Sequence, residues 1–135
     1  MPVTVCFDTS LLMMAAKFHI DVVSEAERVV QKRVDFAVPE LVVRELERLA
    51  KSPGLPGRDA RVALELISTR QIHRMATAER SNADRALIEA SKRPNLVVAT
   101  ADSDLRRTIR GDRKPVIFLR EKAKLELDGI EPSYW

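Results

Sequence analysis

Short apolar runs alternate along the chain with amphipathic segments in which apolar residues recur at helical spacing. Runs rich in β-branched residues indicate buried strands at residues 3–7, 35–38, 96–100 and 115–119, with a weaker candidate at 71–76. Helical spacing follows Asp8-Thr9-Ser10 and recurs at about residues 21–32, 39–51, 58–70, 81–92 and 102–109. Strands that alternate with helices build βαβ units, so the pattern predicts a parallel sheet inside an α/β/α sandwich.

Prolines and glycines refine two of these boundaries. Pro39 fits the first turn of the helix at 39–51, where a missing backbone N–H costs nothing. Residues 52–57 read Ser-Pro-Gly-Leu-Pro-Gly and form the only Pro/Gly-rich stretch, which predicts a loop between two helices. That loop either connects the helices or serves as a mobile flap.

Length and composition are those of a soluble globular chain. With 135 residues, 45% of them hydrophobic and 32% charged, we expect one domain that covers residues 1–135. No apolar run approaches the ~20 residues of a membrane span, and the chain enters a strand at once, without the pattern of a signal peptide. The single cysteine, Cys6, excludes an internal disulfide and a cysteine-based zinc cluster. We therefore expect a cytoplasmic protein.

Positive charge is concentrated near the end of the chain. Residues 106–124 contain eight basic and two acidic side chains and carry +6, whereas the whole chain carries only +3. The candidate RNA-binding residues in this segment are Arg106, Arg107, Arg110, Arg113 and Lys114. Such a segment next to an acidic site is suited to hold a polyanion. It is equally compatible with a solvated surface that has no partner.

Two of the predicted strands are followed directly by aspartates. Asp8 follows the run at 3–7, and Asp102 follows the run at 96–100, with Asp104 two residues further on. The carboxyl ends of parallel strands form the ligand crevice of an open α/β sheet. Taken singly, Asp8 fits a turn, and Asp102 and Asp104 fit a helix cap.

Two further carboxylates lie on predicted helices. Glu45 borders the apolar stripe of its helix, and Asp84 borders the stripe that contains Leu87, in a first turn where a negative charge is favourable. Taken singly, Glu45 would pair with Arg44 or Arg48, and Asp84 would only stabilise its helix terminus. Because all four acids project toward the same end of the predicted sheet, we favour one shared site.

A cluster of three or four carboxylates needs a compensating positive charge. Two such charges at ~4 Å repel by roughly 4 kcal/mol at an effective dielectric constant of 20. Oxygen ligands without histidine or cysteine favour Mg²⁺ or Mn²⁺ over zinc, and such an ion supports attack on a phosphodiester. The hydroxyls of Thr9, Ser10 and Thr100 lie next to the acids and would hold water or phosphate there, although Thr9 and Ser10 equally fit helix capping.

Four motifs, in order, cover nearly the whole chain. They are Phe7-Asp8-Thr9-Ser10, Pro39-Glu40-x-Val42-x-x-Glu45-Leu46, Asn82-Ala83-Asp84 and Thr100-x-Asp102-x-Asp104-Leu105. In this order the motifs resemble those of the PIN-domain family of metal-dependent ribonucleases. The resemblance implies a Rossmann-like sheet of about five parallel strands, a carboxylate-bound Mg²⁺ or Mn²⁺, and cleavage of RNA.

The same resemblance implies a role for each acid. Asp8 and Asp102 are expected to bind the metal directly. Glu45 and Asp84 are expected to bind it through water or to position the attacking water, with Asp104 as a supporting acid.

A narrower resemblance lies in residues 97–110, Val-Val-Ala-Thr-Ala-Asp-Ser-Asp-Leu-Arg-Arg-x-Ile-Arg, followed by Pro115-Val116-Ile117. This run is similar to that of PIN nucleases that mature small-subunit ribosomal RNA, although the cysteine cluster of their larger members is missing here. The resemblance implies an endoribonuclease of ribosomal RNA processing that acts on precursor rRNA. Arg106, Arg107 and Arg110 would grip its phosphates at the border of the metal cleft.

Two other functions stay open. A VapC-type toxin of a toxin–antitoxin pair would cleave tRNA or rRNA until a small antitoxin binds it, and a non-catalytic RNA-binding assembly factor would keep only the fold. The presence of all four acids favours a nuclease, and the basic helix after Asp104 favours ribosomal RNA. Members of the family also pair as homodimers, for which the apolar helices at 11–16 and 21–30 would supply a face.

Overall fold

The computed structural model describes residues 2–77 and 82–129. The strands in these residues are β1 (Val3–Phe7), β2 (Val34–Pro39), β3 (His73–Met75), β4 (Leu96–Thr100), β5 (Val116–Arg120) and β6 (Lys124–Asp128). The helices are α1 (Thr9–Phe18), α2 (Val22–Val30), α3 (Glu40–Ala50), α4 (Gly54–Thr69), α5 (Ala83–Ser91) and α6 (Ser103–Gly111). None of these helices has the length and apolar content that a membrane crossing requires.

The strands form one sheet in the order β3-β2-β1-β4-β5-β6. The pairs from β3 to β5 are parallel, whereas β6 runs antiparallel to β5. Helices α1 to α4 connect β1 to β2 and β2 to β3, toward one edge of the sheet, whereas α5 and α6 connect β3 to β4 and β4 to β5, toward the other edge. Because parallel crossovers are right-handed, these two groups of helices cover opposite faces of the sheet. The predicted α/β sandwich is confirmed, with one additional antiparallel strand at its edge.

The core is aliphatic and centred on β1 and β4. All residues of β4 are buried, and Phe7 at the end of β1 stacks on Phe36 of β2 with ring centroids 5.7 Å apart. Helices α1 and α2 also bury their apolar side chains in this core, including Leu11, Leu12 and the five buried residues of α2. These side chains are therefore not the exposed dimer face that the sequence suggested.

The predicted loop at residues 52–57 is wrong, because α4 already begins at Gly54. Pro56 is tolerated in the first turn of α4, where backbone N–H groups have no partner within the helix. At Gly57 an added Cβ would lie 1.8 Å from the carbonyl oxygen of Ser52, so the chain turns tightly from α3 into α4. The mobile flap is therefore replaced by a short, packed connection. Pro39 likewise ends β2 and caps α3 instead of lying inside its first turn.

The sixth strand was not predicted. Residues 124–128 alternate Lys-Leu-Glu-Leu-Asp, which is a strand pattern, but the last strand predicted from the sequence is 115–119, with no element assigned beyond it. A tight turn with positive φ at Glu121 and Lys122 returns the chain from β5. Helix α2 then supports β6, since Leu125 donates its N–H to Glu25 Oε1 (3.0 Å) and accepts at its carbonyl from Arg28 Nη2 (2.8 Å).

Candidate functional site

The site lies where the direction of the sheet connections changes. From β1 the chain moves to β2 on one side, and from β4 it moves to β5 on the other, although β1 and β4 are neighbours. Ligands of open α/β sheets bind in the crevice beyond the carboxyl ends of the strands at such a switch point. Asp8 directly follows β1, and Asp102 lies two residues beyond β4. The fold therefore brings these two acids to one crevice.

Asp8 is held by three neighbouring donors. As the N-cap of α1 it accepts the backbone N–H of Leu11 at Oδ1 (2.8 Å). The hydroxyl of Ser10 lies 2.9 Å from both carboxylate oxygens, and the hydroxyl of Thr100 donates to Oδ2. Asp8 is only 4% exposed, and these contacts hold its carboxylate in one orientation.

The same hydroxyls join the ends of β1 and β4. Thr100 Oγ1 accepts the backbone N–H of Asp102 (2.9 Å), and Ser10 Oγ accepts that of Ala101 (3.1 Å). Ser10 and Thr100 thus fix the two aspartate-bearing segments relative to each other. Thr9, which was also expected to hold water or phosphate, has a buried hydroxyl without a hydrogen-bond partner in the described part of the chain.

Asp102 is the N-cap of α6 and uses only one of its oxygens for this purpose. Its Oδ1 accepts from the backbone N–H groups of Asp104 (2.8 Å) and Leu105 (3.2 Å). Its Oδ2 has no partner within residues 2–77 and 82–129, and the side chain is half-buried. One oxygen of Asp102 is therefore available to a ligand.

Burial sets the electrostatics of Asp8. Loss of solvation raises the pKa of this carboxyl to about 6, and the charge of Asp102 adds to the increase, while the hydrogen bonds from Thr100, Leu11 and Ser10 oppose it. At neutral pH the site thus holds a desolvated carboxylate near a second one. A cation bound between them would offset both unfavourable contributions.

Glu45 and Asp84 lie on helices that flank the crevice. Helix α3 contacts both α1 and α5. Glu45 is half-buried and is the sixth residue of α3, about 7.5 Å along the helix from its start. Asp84 is exposed in the first turn of α5. Neither carboxylate has a hydrogen-bond or ion-pair partner among the described residues, so the alternative pairing of Glu45 with Arg44 or Arg48 does not occur there.

The structure does not bring all four acids into one contact group. Across residues 2–77 and 82–129, no three Asp, Glu, His or Cys side chains are placed to hold a single ion. The donor set nevertheless fits a hard cation, because Asp8 supplies a buried carboxylate and Asp102 an oxygen without a partner. The ligands that Asp8 and Asp102 offer are carboxylate oxygens, which suit Mg²⁺ or Mn²⁺.

The predicted RNA-binding arginines differ in their surroundings. Arg106 and Arg110 both pair with Asp128 at the end of β6, at 3.0 and 3.4 Å. Arg107 pairs instead with Asp104 in solvent, where both side chains are largely exposed. Arg113 is exposed, and Lys114 is half-buried with its carbonyl bonded to Arg110. Sequence reasoning missed Asp128, and the alternation of residues 124–128 was the signal that would have found it.

Comparison with known proteins identifies relatives of the whole chain. A family described as "PIN like domain" matches residues 5–122. The chain is 27% identical to a ribonuclease VapC4 from Methanocaldococcus jannaschii, with 91% of this chain and 95% of that protein covered. It is 31% identical to a ribonuclease VapC9 from Archaeoglobus fulgidus, with 92% and 88% covered.

Solved structures show the same fold at lower sequence identity. The PIN domain endonuclease Utp24 superimposes with a TM-score of 0.80 at 21% identity, over 96% of this chain and 94% of that one. A domain of a functionally unknown protein from Methanocaldococcus jannaschii matches with a TM-score of 0.58 at 20% identity, over 87% and 91%. These likenesses concern the fold of the chain.

Proposed function

The chain belongs to the PIN-like domain family of ribonucleases, and from this premise we propose that it is a metal-dependent endoribonuclease with Mg²⁺ or Mn²⁺ held by Asp8 and Asp102. The observation that carries the proposal is the shared anchoring of these two acids through Ser10 and Thr100 at the switch point of the sheet. When bound, the ion supplies positive charge that stabilises the phosphodiester under attack.

The side chains around the crevice have distinct roles in this proposal. Ser10 and Thr100 keep the Asp8 carboxylate in one orientation, and α6 keeps Asp102 Oδ1 occupied so that Oδ2 faces a ligand. Glu45 and Asp84 would bind the ion through water or position the attacking water. Both carboxylates are free for this role, because neither has a partner in the described residues. Asp104 supports Asp102 through its backbone N–H.

Cleavage of RNA by purified variants tests the proposal. We expect the wild type to cut RNA with Mg²⁺ or Mn²⁺ and to lose activity with EDTA. Asp102→Asn should reduce turnover by at least about a hundredfold, as removal of a group that stabilises the transition state does, while retaining the fold. Asp112→Asn, an exposed acid after α6, is the matched control. Wild-type turnover in Asp102→Asn would disprove this ligand assignment.

As substrate we propose precursor ribosomal RNA. The support is the run at residues 97–110, which resembles rRNA-processing PIN nucleases, together with the basic side chains of α6. The two VapC relatives support a second candidate, a toxin ribonuclease that an antitoxin inhibits. Discrete cuts in precursor rRNA that disappear in Asp102→Asn would support processing, and cuts confined to tRNA or to loops of mature rRNA would support the toxin.

A further inference from the structure

Arg106, which lines a cavity together with Asp102, is held by two unrelated contacts. The guanidinium of Arg106 lies over the ring of Phe118, 3.5 Å from its centroid. Its Nε and Nη2 atoms lie 3.1 and 3.0 Å from Asp128 Oδ2. Stacking fixes the plane of the guanidinium, and the paired contact fixes its rotation within that plane. A surface arginine without such contacts samples many rotamers.

The end of β6 is shaped around this arginine and the next one along α6. Asp128 Oδ1 lies 3.4 Å from Arg110 Nε, so a single carboxylate lies between two arginines one helical turn apart. The three groups together keep a net positive charge. At Gly129 the backbone has φ of +109°, and an added Cβ would lie 2.3 Å from Arg110 Nη1. The positive φ favours glycine at this position, and any other residue would also displace the Arg110 guanidinium.

Arg106 faces a small cavity next to the candidate metal ligands. This cavity, about 60 Å³, is lined by Thr100, Asp102, Ser103, Arg106 and Phe118 among others. The Nη1 group of Arg106 has no hydrogen-bond partner in the described portion of the chain, so its two N–H bonds are available. A planar guanidinium with free N–H donors is well matched to a phosphate group.

We propose that Arg106 binds a backbone phosphate of the RNA next to Asp102, and that Asp128 is a positioning residue that holds Arg106 in place through β6. This assignment rests on the proposed function. An arginine that is already ordered loses less conformational entropy when it binds phosphate than a mobile one does. The strand that sequence analysis did not predict thereby becomes part of substrate binding.

Replacement of Asp128 separates positioning from overall charge. Asp128→Asn removes a negative charge, so long-range electrostatics alone would strengthen RNA binding. If Asp128 positions Arg106, the same variant instead raises KM, by about three- to tenfold, with kcat little changed. Arg106→Gln should raise KM by about tenfold or more, because a charge-assisted contact to phosphate is lost.

The chain offers a matched control on the same ring and the same strand. Arg120 lies 5.6 Å from the Phe118 centroid and pairs with Glu126 of β6 at 2.9 Å, but it does not line the cavity. Glu126→Gln should therefore leave KM within about twofold of the wild type, or lower it slightly through the change in charge. Thermal unfolding of each variant separates these effects from loss of structure.

A double-mutant cycle completes the test. In the Arg106→Gln background, Asp128→Asn should change KM no further, because its partner is already absent. Additive effects, or a lowered KM in Asp128→Asn, would overturn the proposal. Affinity for a single-stranded RNA oligonucleotide in EDTA should follow the same order of variants. If the affinities of the variants followed this order but the wild type cleaved no RNA, the proposed nuclease activity would be wrong. The phosphate-binding role of Arg106 would still stand.

Discussion

At the residue scale, Asp8 is a buried carboxylate whose negative charge is destabilised by the loss of solvation. Its pKa is raised to about 6, first by burial and then by the charge of Asp102. Hydrogen bonds from Thr100, Leu11 and Ser10 offset only part of this increase. The ionised carboxylate therefore lowers the stability of the metal-free fold at neutral pH. Such a group is typical of a functional site, and here a bound cation would account for its presence.

The first prediction follows from the sign of this pKa shift. Between pH 4 and 6 the folded protein binds more protons at Asp8 than the unfolded chain does, so the ionisation of Asp8 lowers stability as the pH rises through this window. In metal-free protein, Asp8→Asn should therefore raise the free energy of unfolding at pH 7 by up to about 3 kcal/mol. The gain should vanish near pH 4.

Urea denaturation in EDTA at pH 4 and pH 7 measures this difference. Asparagine can still accept the N–H of Leu11 at its carbonyl oxygen and donate to the hydroxyls of Ser10 and Thr100. Asp112→Asn, which replaces an exposed acid, should show no comparable gain at either pH. A destabilised Asp8→Asn protein at pH 7 would mean that the carboxylate supports the fold.

The sequence was sufficient to place Asp8 and Asp102, because acids that follow parallel strands must share one edge of the sheet. It did not determine the relation of Glu45 and Asp84 to them. Helical periodicity gives the face on which a side chain lies, but not how far the helix is displaced or rotated against its neighbours. That information resides in the packing of α3 and α5.

At the element scale, strands and helices with strong periodicity were predicted nearly to their ends. The wrong loop at 52–57 and the missing strand at 124–128 have a common origin, since local composition was interpreted without tertiary context. Prolines and glycines at 53–57 are compatible with a first helical turn that packs against Ser52. Charges at 124–128 are compatible with an edge strand, because its outward side chains are solvated.

The second prediction concerns the turn between α3 and α4. Gly57→Ala would place a methyl group 1.8 Å from the Ser52 carbonyl oxygen, and backbone atoms cannot move aside cheaply. We expect a loss of roughly 2–4 kcal/mol in unfolding free energy. Gly111→Ala is the control, because no atom lies within 4 Å of its added Cβ, and it should be neutral or stabilising by about 0.5–1 kcal/mol. Equal stability of the two variants would contradict the tight connection.

At the scale of the whole molecule, opposite charges are separated around one crevice. The acids lie at the carboxyl ends of β1 and β4, and the basic residues lie along α6 and the segment that follows it. Long-range attraction would bring RNA to this side of the protein, while the acids require a cation before phosphate can approach. RNA association and metal binding are thus expected to be coupled.

The third prediction addresses this attraction. Arg107 is exposed, and within residues 2–77 and 82–129 it pairs only with the exposed Asp104, so it is available to phosphate. Arg107→Gln should weaken binding to single-stranded RNA and reduce the slope of log K against log salt by about 0.7, the value for one lost contact. Arg33→Gln, an exposed residue just before β2 at the opposite ends of the strands from Asp8 and Asp102, should leave the slope unchanged. An unchanged slope in Arg107→Gln would remove Arg107 from the binding surface.

The most direct test of the central claim is a calorimetric titration of Mn²⁺ into the wild type and into Asp8→Asn, Asp102→Asn and Asp112→Asn, at pH 7.5 and without RNA. We predict saturable binding to the wild type and Asp112→Asn. Binding to Asp8→Asn and Asp102→Asn should be weaker by at least about tenfold, because each loses a charged ligand. Wild-type affinity in both of these variants would show that the acids after β1 and β4 do not hold the metal.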